Sequence, residues 1–374
     1  MTRSHSEPLS PREYRRYARQ LTLPQVGIPG QTKLKHASVM LVGVGGLGSP
    51  VLQYLAAAGV GRIGLVDADE VDESNLHRQV MFDYDCIGQP KVKAAANKAA
   101  KLNPDINIET HQTRLHSDNA LALIEQYDLV IDCSDNFQTR YLVNDACVIL
   151  NKPYIYSSIY QFEGLLTLFA DPKGPCYRCA FPEPPPQGLV PNCAEGGVLG
   201  VLPGVFGTLQ AAEAVKYLLG YGNSLAGRLM QINLLDTKFS EFELPKNPNC
   251  QACSDPKSLK LEESEPTVQC ELPTQGSSIN AKNLQQLLQT QNGIKLLDVR
   301  SDKERAITKL DDDLHIPLNE LESADLDVAQ DEQIVAYCVS GIRSKQAVEI
   351  LNSRGYTNVK SLIGGVLAWN SLDN

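Results

Sequence analysis

The segment that most constrains the fold is Val39–Ser49. Val39–Val42 reads as a short buried strand, Gly43-Val-Gly45-Gly46-Leu-Gly48 as a tight turn, and Pro50–Ala58 as a helix. IGLVDAD (63–69) supplies the next strand, so the order is that of a βαβ unit in a parallel sheet. G-x-G-x-x-G between strand and helix fits the dinucleotide fingerprint. Glycines there permit positive φ and let backbone N–H groups approach a phosphate at the helix N-terminus. Asp67, nineteen residues beyond Gly48 at a strand end, is placed to take ribose hydroxyls. Alone, this pattern says adenine nucleotide. A NAD or FAD oxidoreductase is its default reading, and a plain glycine turn its bland one.

The alternation continues. Lys91–Leu102 and DNALALIEQY (118–127) read as helices around the strand INIETHQ (106–112). LVIDCS (129–134) is a buried strand, RYLVNDACVILN (140–151) a helix, 154–169 two strands and 204–219 a long helix. Residues 1–36 form an Arg-rich helical arm ending in the turn-prone LPQVGIPGQ. Near residue 254 the chain turns polar and acidic, as a linker does. Beyond it, NAKNLQQLLQTQ, IKLLDVR, QIVAYCV, SKQAVEILNSRGY and VKSLIGG make a second, smaller α/β unit.

A net charge of −10 argues against a nucleic-acid binder, which would carry a basic patch. The first twenty residues hold no signal-like apolar core, and no later stretch is long enough to span a membrane. A cytoplasmic protein is expected, so the ten cysteines point to metal, catalysis or packing rather than disulfides.

The residues after the fingerprint narrow the choice. Asp67-Ala-Asp69 is followed by Ser74-Asn75-Leu76-His77-Arg78-Gln79, by Ile87-Gly-Gln-Pro-Lys91, and by Asp132-Cys-Ser-Asp135-Asn136. With Arg-Tyr-Ala-Arg-Gln (16–20), this set resembles the MoeB/ThiF family, relatives of ubiquitin-activating enzymes, over about residues 14–253. The resemblance implies a Rossmann-like, mainly parallel mixed sheet that binds ATP. It implies adenylation of the C-terminal glycine of a ubiquitin-like sulfur carrier ending in Gly-Gly. It also places Gly43, Gly45, Gly46, Gly48, Asp67, Asp69, Ser74, Asn75, Leu76, His77 and Asn136 at the nucleotide. Arg78 and Lys91 would meet the phosphates, Asp135 would hold Mg²⁺, and Arg19 would reach in from the second subunit of a homodimer. Taken singly, Arg78 and Lys91 could be solvated surface charges, and Asp135-Asn136 a helix cap.

Cys176-Tyr-Arg-Cys179 and Cys250-Gln-Ala-Cys253 are two C-x-x-C pairs, seventy residues apart. Four thiolates from two such knuckles make a closed, structural zinc site, which the family resemblance also carries. Cys193, before a glycine-rich stretch, is a candidate acyl-accepting nucleophile by resemblance, or a dispensable thiol. Cys86, Cys133, Cys147 and Cys270 read as fillers or incidental.

Asp298-Val-Arg300, Cys338-Val-Ser-Gly-Ile-Arg343-Ser344 and Leu362-Ile-Gly-Gly resemble a rhodanese domain over about residues 277–372. A cysteine ending a strand before a short loop and helix faces backbone N–H groups that, with Arg343, stabilise a thiolate or persulfide anion. The C-x₄-R spacing is tighter than the C-x₅-R of a phosphatase cradle. Val339 stands where many rhodaneses carry a second basic residue, and KLDDDL (309–314) replaces the usual turn before HIPL.

The expected organisation is an adenylyltransferase domain over 1–253, a flexible linker over 254–276 and a small α/β rhodanese domain over 277–374. Tethering would hold Cys338 at high effective concentration near the adenylate. The favoured carrier is the molybdopterin-synthase small subunit, in molybdenum cofactor biosynthesis, with a thiamin or tRNA-thiolation carrier next. A cysteine desulfurase or thiosulfate would load the sulfur. A non-catalytic binder of ubiquitin-like tails is the reading from another class.

Overall fold

In a computed structural model, the structure describes residues 8–172, 174–184, 197–261, 278–290, 293–306, 308–339, 341–370 and 372. The chain divides into two compact units, residues 1–185 with 192–264 and residues 186–191 with 265–374.

The first unit is built on an eight-stranded sheet, β1 Ser38–Val42, β2 Arg62–Val66, β3 Asn107–His111, β4 Leu129–Asp132, β5 Tyr154–Tyr160, β6 Glu163–Phe169, β7 Arg228–Asn233 and β8 Lys238–Glu243. Its order is β3-β2-β1-β4-β5-β6-β7-β8. The first five are parallel, and β6, β7 and β8 add on antiparallel. β1 and β4 are buried at every position, as strands covered on both faces must be, and apart from Ser38 and Asp132 they are apolar. Crossing helices α4 (Gly48–Ala58), α5 (Lys91–Leu102), α6 (Ser117–Ile124), α7 (Phe137–Ile149) and the long α9 (Leu202–Leu219) flank it.

Three features differ from the sequence reading. The arm is α1 (Pro11–Arg16), α2 (Ala18–Leu21) and α3 (Gly27–His36), so GIPGQ opens a helix instead of ending one. Pro29 lies in the first turn, where its missing N–H has no partner to lose. The β7–β8 hairpin was not anticipated; β8 is an edge strand, KFSEFE, with little burial. Leu259 and Leu261, expected in the linker, pack on apolar clusters of the first unit.

Buried Tyr17 fastens the arm: its hydroxyl accepts a hydrogen bond from Asn103 Nδ2 at 2.8 Å, and its ring fills the space beside Gly59. The second unit is a five-stranded, fully parallel sheet, β9 Ser278–Ile279, β10 Lys295–Asp298, β11 Asp313–His315, β12 Ile334–Tyr337 and β13 Val359–Leu362, in the order β11-β10-β12-β13-β9. Its helices are α10 (Ala281–Thr290), α11 (Asp302–Arg305), α12 (Ile342–Ser353) and α13 (Gly365–Asn370). Among the described residues no helix is long and apolar enough to cross a membrane.

Candidate active sites

β1 lies between β2 and β4, so the strand order reverses there and the carboxyl ends of these strands open a crevice. Gly43 leaves β1 at φ +91°, and an added Cβ would lie 2.9 Å from the Cys133 carbonyl oxygen. A Cβ on Gly48 would sit 2.3 Å from the Gly43 carbonyl oxygen, so the turn closes only around glycine. Asp67, just past β2, accepts from the N–H groups of Val44 at 2.8 Å and Asp69 at 2.9 Å. Burial raises its pKa, opposed by those two hydrogen bonds and by Lys91. Each carboxylate oxygen keeps a lone pair for a sugar hydroxyl.

Lys91 opens α5 and is buried, with Nζ 3.0 Å from Asp69 Oδ2. A buried cation against an exposed carboxylate is not a solvated surface charge. Arg78 is half-buried and held by Asn75 Oδ1 at 2.9 Å and the Ser74 carbonyl at 3.2 Å, while His77 Nε2 lies 2.8 Å from its Nη1. The Ser74 hydroxyl is taken by Asp72, and Leu76 packs on the core. Asp135 is exposed beyond β4. Asn136 caps α7 through Oδ1 to Thr139 N at 2.9 Å, so the capping alternative holds for that side-chain oxygen. Arg19 lies exposed on α2.

Cys176 and Cys179 flank the first turn of α8 (Tyr177–Ala180), which α7 anchors: Asn144 Oδ1 accepts from Tyr177 N at 2.7 Å, and Asp145 binds Arg178 at 2.8 and 2.7 Å. The fold brings Cys250 and Cys253 to them. Sγ–Sγ distances are 3.8 Å (176–179), 3.6 Å (176–250) and 3.5 Å (179–253), and all four sulfurs lie within 4.8 Å of one another. Sulfurs about 2.3 Å from a tetrahedral zinc stand about 3.8 Å apart, so the set fits that ion. Burial and then neighbouring Cys179 push the Cys176 thiol up, and burial with Cys179 pushes Cys253 to about 11. Four thiolates this close need a cation between them. Among the described residues the cysteines form no disulfide.

In the second unit Cys338 follows β12 and is fully buried. Gly341 N–H donates to its Sγ at 3.1 Å. Gly341, at φ +98°, starts α12. Gly364-Gly365 covers the loop: a Cβ on Gly365 would lie 2.3 Å from the Cys338 carbonyl oxygen. The Arg343 guanidinium forms a two-pronged pair with Glu304, at 3.0 and 2.5 Å. Glu304 also caps α11 by accepting from Ser301. Burial would raise the Glu304 pKa, but Arg343 and Ser301 bring it down to about 2. Fully buried Asp298 and Arg300 pair at 2.8 Å beside this loop's strand.

Residues 17–252 match the ThiF family and residues 280–372 the rhodanese-like domain. The chain belongs to the ThiF family. A sulfur carrier protein adenylyltransferase of Thermus thermophilus is 54% identical over 248 residues, 65% of this chain and 92% of that one. The adenylyltransferase and sulfurtransferase MOCS3 of Sus scrofa is 41% identical, with 96% of this chain and 86% of the relative covered. MccB of E. coli, solved with AMPCPP and MccA, shares the fold at a TM-score of 0.58 and 25% identity, over 64% of this chain and 74% of that one. This ThiF-family chain is thus an enzyme, an adenylyltransferase and sulfurtransferase that uses ATP. The oxidoreductase and non-catalytic readings fall away.

Within the ThiF-family unit, the expected glycines, Asp67, Asp69, Asn75, Arg78 and Lys91 gather at the carboxyl edge of β1, β2 and β4. Cys193 and Cys270 lie outside the described residues, as does most of the expected linker. The sequence reading missed Gln79 as a site residue. It is buried beside Gly45, donates to Asn75 Oδ1 at 3.0 Å, and among the described residues its Oε1 accepts no hydrogen bond. It also missed Glu304, whose tie to Arg343 spans 39 residues and has no local signal.

Proposed function

We propose that this chain adenylates the C-terminal glycine of a ubiquitin-like sulfur carrier ending in Gly-Gly and then delivers sulfur from Cys338 to give a thiocarboxylate. What carries the reading is the union, in one chain, of a nucleotide crevice backed by buried Lys91 and a loop that hydrogen-bonds its own cysteine. The names of the relatives supply the substrate class: one acts on a sulfur carrier, another is both adenylyltransferase and sulfurtransferase.

The carrier carboxylate attacks the α-phosphorus of ATP, the bond to the β-phosphate bridge breaks, and pyrophosphate leaves. Two anions meet, so Arg78, Lys91 and the N-terminal N–H groups of α4 offset their charge. Asp67 takes the ribose, and Asn75 aims Arg78. Asp135 would hold Mg²⁺, which neutralises phosphate charge when bound. Arg19 would enter from the partner of a homodimer, as the family resemblance implies. Cys176, Cys179, Cys250 and Cys253 would hold a structural zinc with no open ligand position.

The terminal sulfur of a Cys338 persulfide then attacks the acyl carbon, the acyl–oxygen bond breaks, and AMP leaves. The acyl disulfide on Cys338 is split by a thiol reductant to the thiocarboxylate. Cys193 is a second candidate acceptor of the acyl group. The favoured carrier remains the molybdopterin-synthase small subunit, and the favoured sulfur sources a cysteine desulfurase or thiosulfate.

The test combines the full chain with ATP, thiosulfate, a thiol reductant and candidate carriers, read by intact mass. Replacement of one oxygen by sulfur at an intact Gly-Gly tail, and none on a truncated tail, is expected. No carrier gaining sulfur would overturn the reading.

A further inference from the structure

We propose that Ser344, backed by Ser361, is a catalytic hydroxyl that donates to the Cys338 sulfur whenever that sulfur is an anion; this rests on Cys338 being the sulfur-carrying thiol. Both serines are buried, at 0% and 1% exposure, beneath a fully buried cysteine. The Cys338 thiol lies 3.8 Å from Ser344 Oγ. Ser344 Oγ is 2.8 Å from Ser361 Oγ and 3.1 Å from the Gly341 carbonyl, which Ser361 Oγ also reaches at 3.5 Å.

Counting protons shows what this cluster can do. With the thiol protonated, S–H donates to Ser344, Ser344 donates to the Gly341 carbonyl at 3.1 Å, and Ser361 donates to Ser344. Each hydroxyl has one proton and can accept as well as donate. When the sulfur loses its proton, the Ser344 O–H turns from the Gly341 carbonyl to Sγ and the Ser361 O–H turns from Ser344 to that carbonyl. Ser361 takes over the Gly341 carbonyl, so that acceptor is not left bare. Among the described residues the anion then has two donors, Gly341 N–H and Ser344 O–H. One hydroxyl alone would have to abandon the carbonyl to reach the sulfur. The second removes that cost.

Sulfur exchange places the anion on Sγ twice. The Cys338 thiolate attacks the outer sulfur of thiosulfate, the S–S bond breaks, and sulfite leaves with the electron pair. Cyanide, a simple acceptor, then attacks the terminal sulfur of the persulfide; its S–S bond breaks, thiocyanate leaves, and the pair returns to Sγ as thiolate. A donor on Sγ favours the anion in both half-reactions.

Thiosulfate–cyanide turnover by the full chain tests the assignment. Ser344→Ala should lower kcat about tenfold, the effect of one hydrogen bond to a charged atom, with KM for thiosulfate within about twofold. Ser344→Thr, which restores the hydroxyl, should recover most of kcat; Ser361→Ala should cost less than Ser344→Ala, because Ser344 must then serve the carbonyl. Should Ser344→Ala fail to fold, Ser344→Thr and Ser361→Ala decide: active Thr with a slowed Ser361→Ala supports the proposal, and an unslowed Ser361→Ala contradicts it. Ser344→Ala at parental kcat, with Cys338→Ala inactive, overturns the hydroxyl role and leaves the sulfur-carrier reading standing. Turnover surviving Cys338→Ala overturns both.

Discussion

The chain uses one backbone device twice and for opposite purposes. In each unit the loop from a central parallel strand into a helix carries a glycine with positive φ, Gly43 at +91° directly after β1 and Gly341 at +98° directly before α12. At Gly43 the turn faces outward: its Val44 N–H secures Asp67, and the N-terminus of α4 is left for an anion from solution. At Gly341 the N–H is aimed at Sγ of the chain's own Cys338, 3.1 Å away. The first turn needs room and the second needs closure. Their surroundings differ accordingly: cationic Lys91 and Arg78 border the first, whereas buried hydroxyls and a glycine pair seal the second.

The sharpest way to separate the two turns is to remove the internal anion. Cys338→Ala should abolish thiocarboxylate formation entirely while ATP–pyrophosphate exchange stays at the parental rate; parallel loss of exchange would show that the turns do not act independently. Matched glycine substitutions come next. Gly48→Ala puts a Cβ 2.3 Å from the Gly43 carbonyl and should cut exchange by about a hundredfold, sparing thiosulfate–cyanide turnover. Gly365→Ala puts one 2.3 Å from the Cys338 carbonyl and should do the reverse. Equal damage to both activities from either variant would break the comparison.

Smaller effects probe what braces each turn. If the four-cysteine cluster holds zinc, metal analysis finds one ion per chain, and stripping it lowers the melting temperature by on the order of ten degrees. An unchanged melting curve in a metal-free preparation would remove the structural role. The Glu304–Arg343 brace should matter least, since both side chains are 24% exposed. Glu304 has its pKa lowered in the fold to about 2, so its contribution is complete above the ordinary range near ~4.3 and is lost as pH falls toward about 2. Glu304→Gln should therefore be less stable than the parent near neutrality and flatter across the acid range, measured by melting temperature against pH.

The sequence made the parallel core legible because Val39–Val42 and Leu129–Ile131 are unbroken apolar runs and the glycines between strand and helix have few other uses. Both C-x-x-C pairs were legible for the same reason: few arrangements other than a metal site use that spacing twice. The β7–β8 hairpin was not, since only Ile232 along it is buried and the KFSEFE edge has no face turned to a core. Pro29 and Gly27 looked like a turn because their position in a helix depends on where the chain enters it. Ser344, Ser361 and Glu304 are ordinary polar residues in sequence. Their meaning lies in contacts 17 to 39 residues away, which only the folded sheet creates.

The most direct test of the central claim is ATP–pyrophosphate exchange by the full chain, with carriers bearing an intact or truncated Gly-Gly tail. Exchange that requires the intact tail and collapses in Lys91→Ala is the predicted result. Exchange indifferent to the tail, or none with any carrier despite bound ATP, would contradict it.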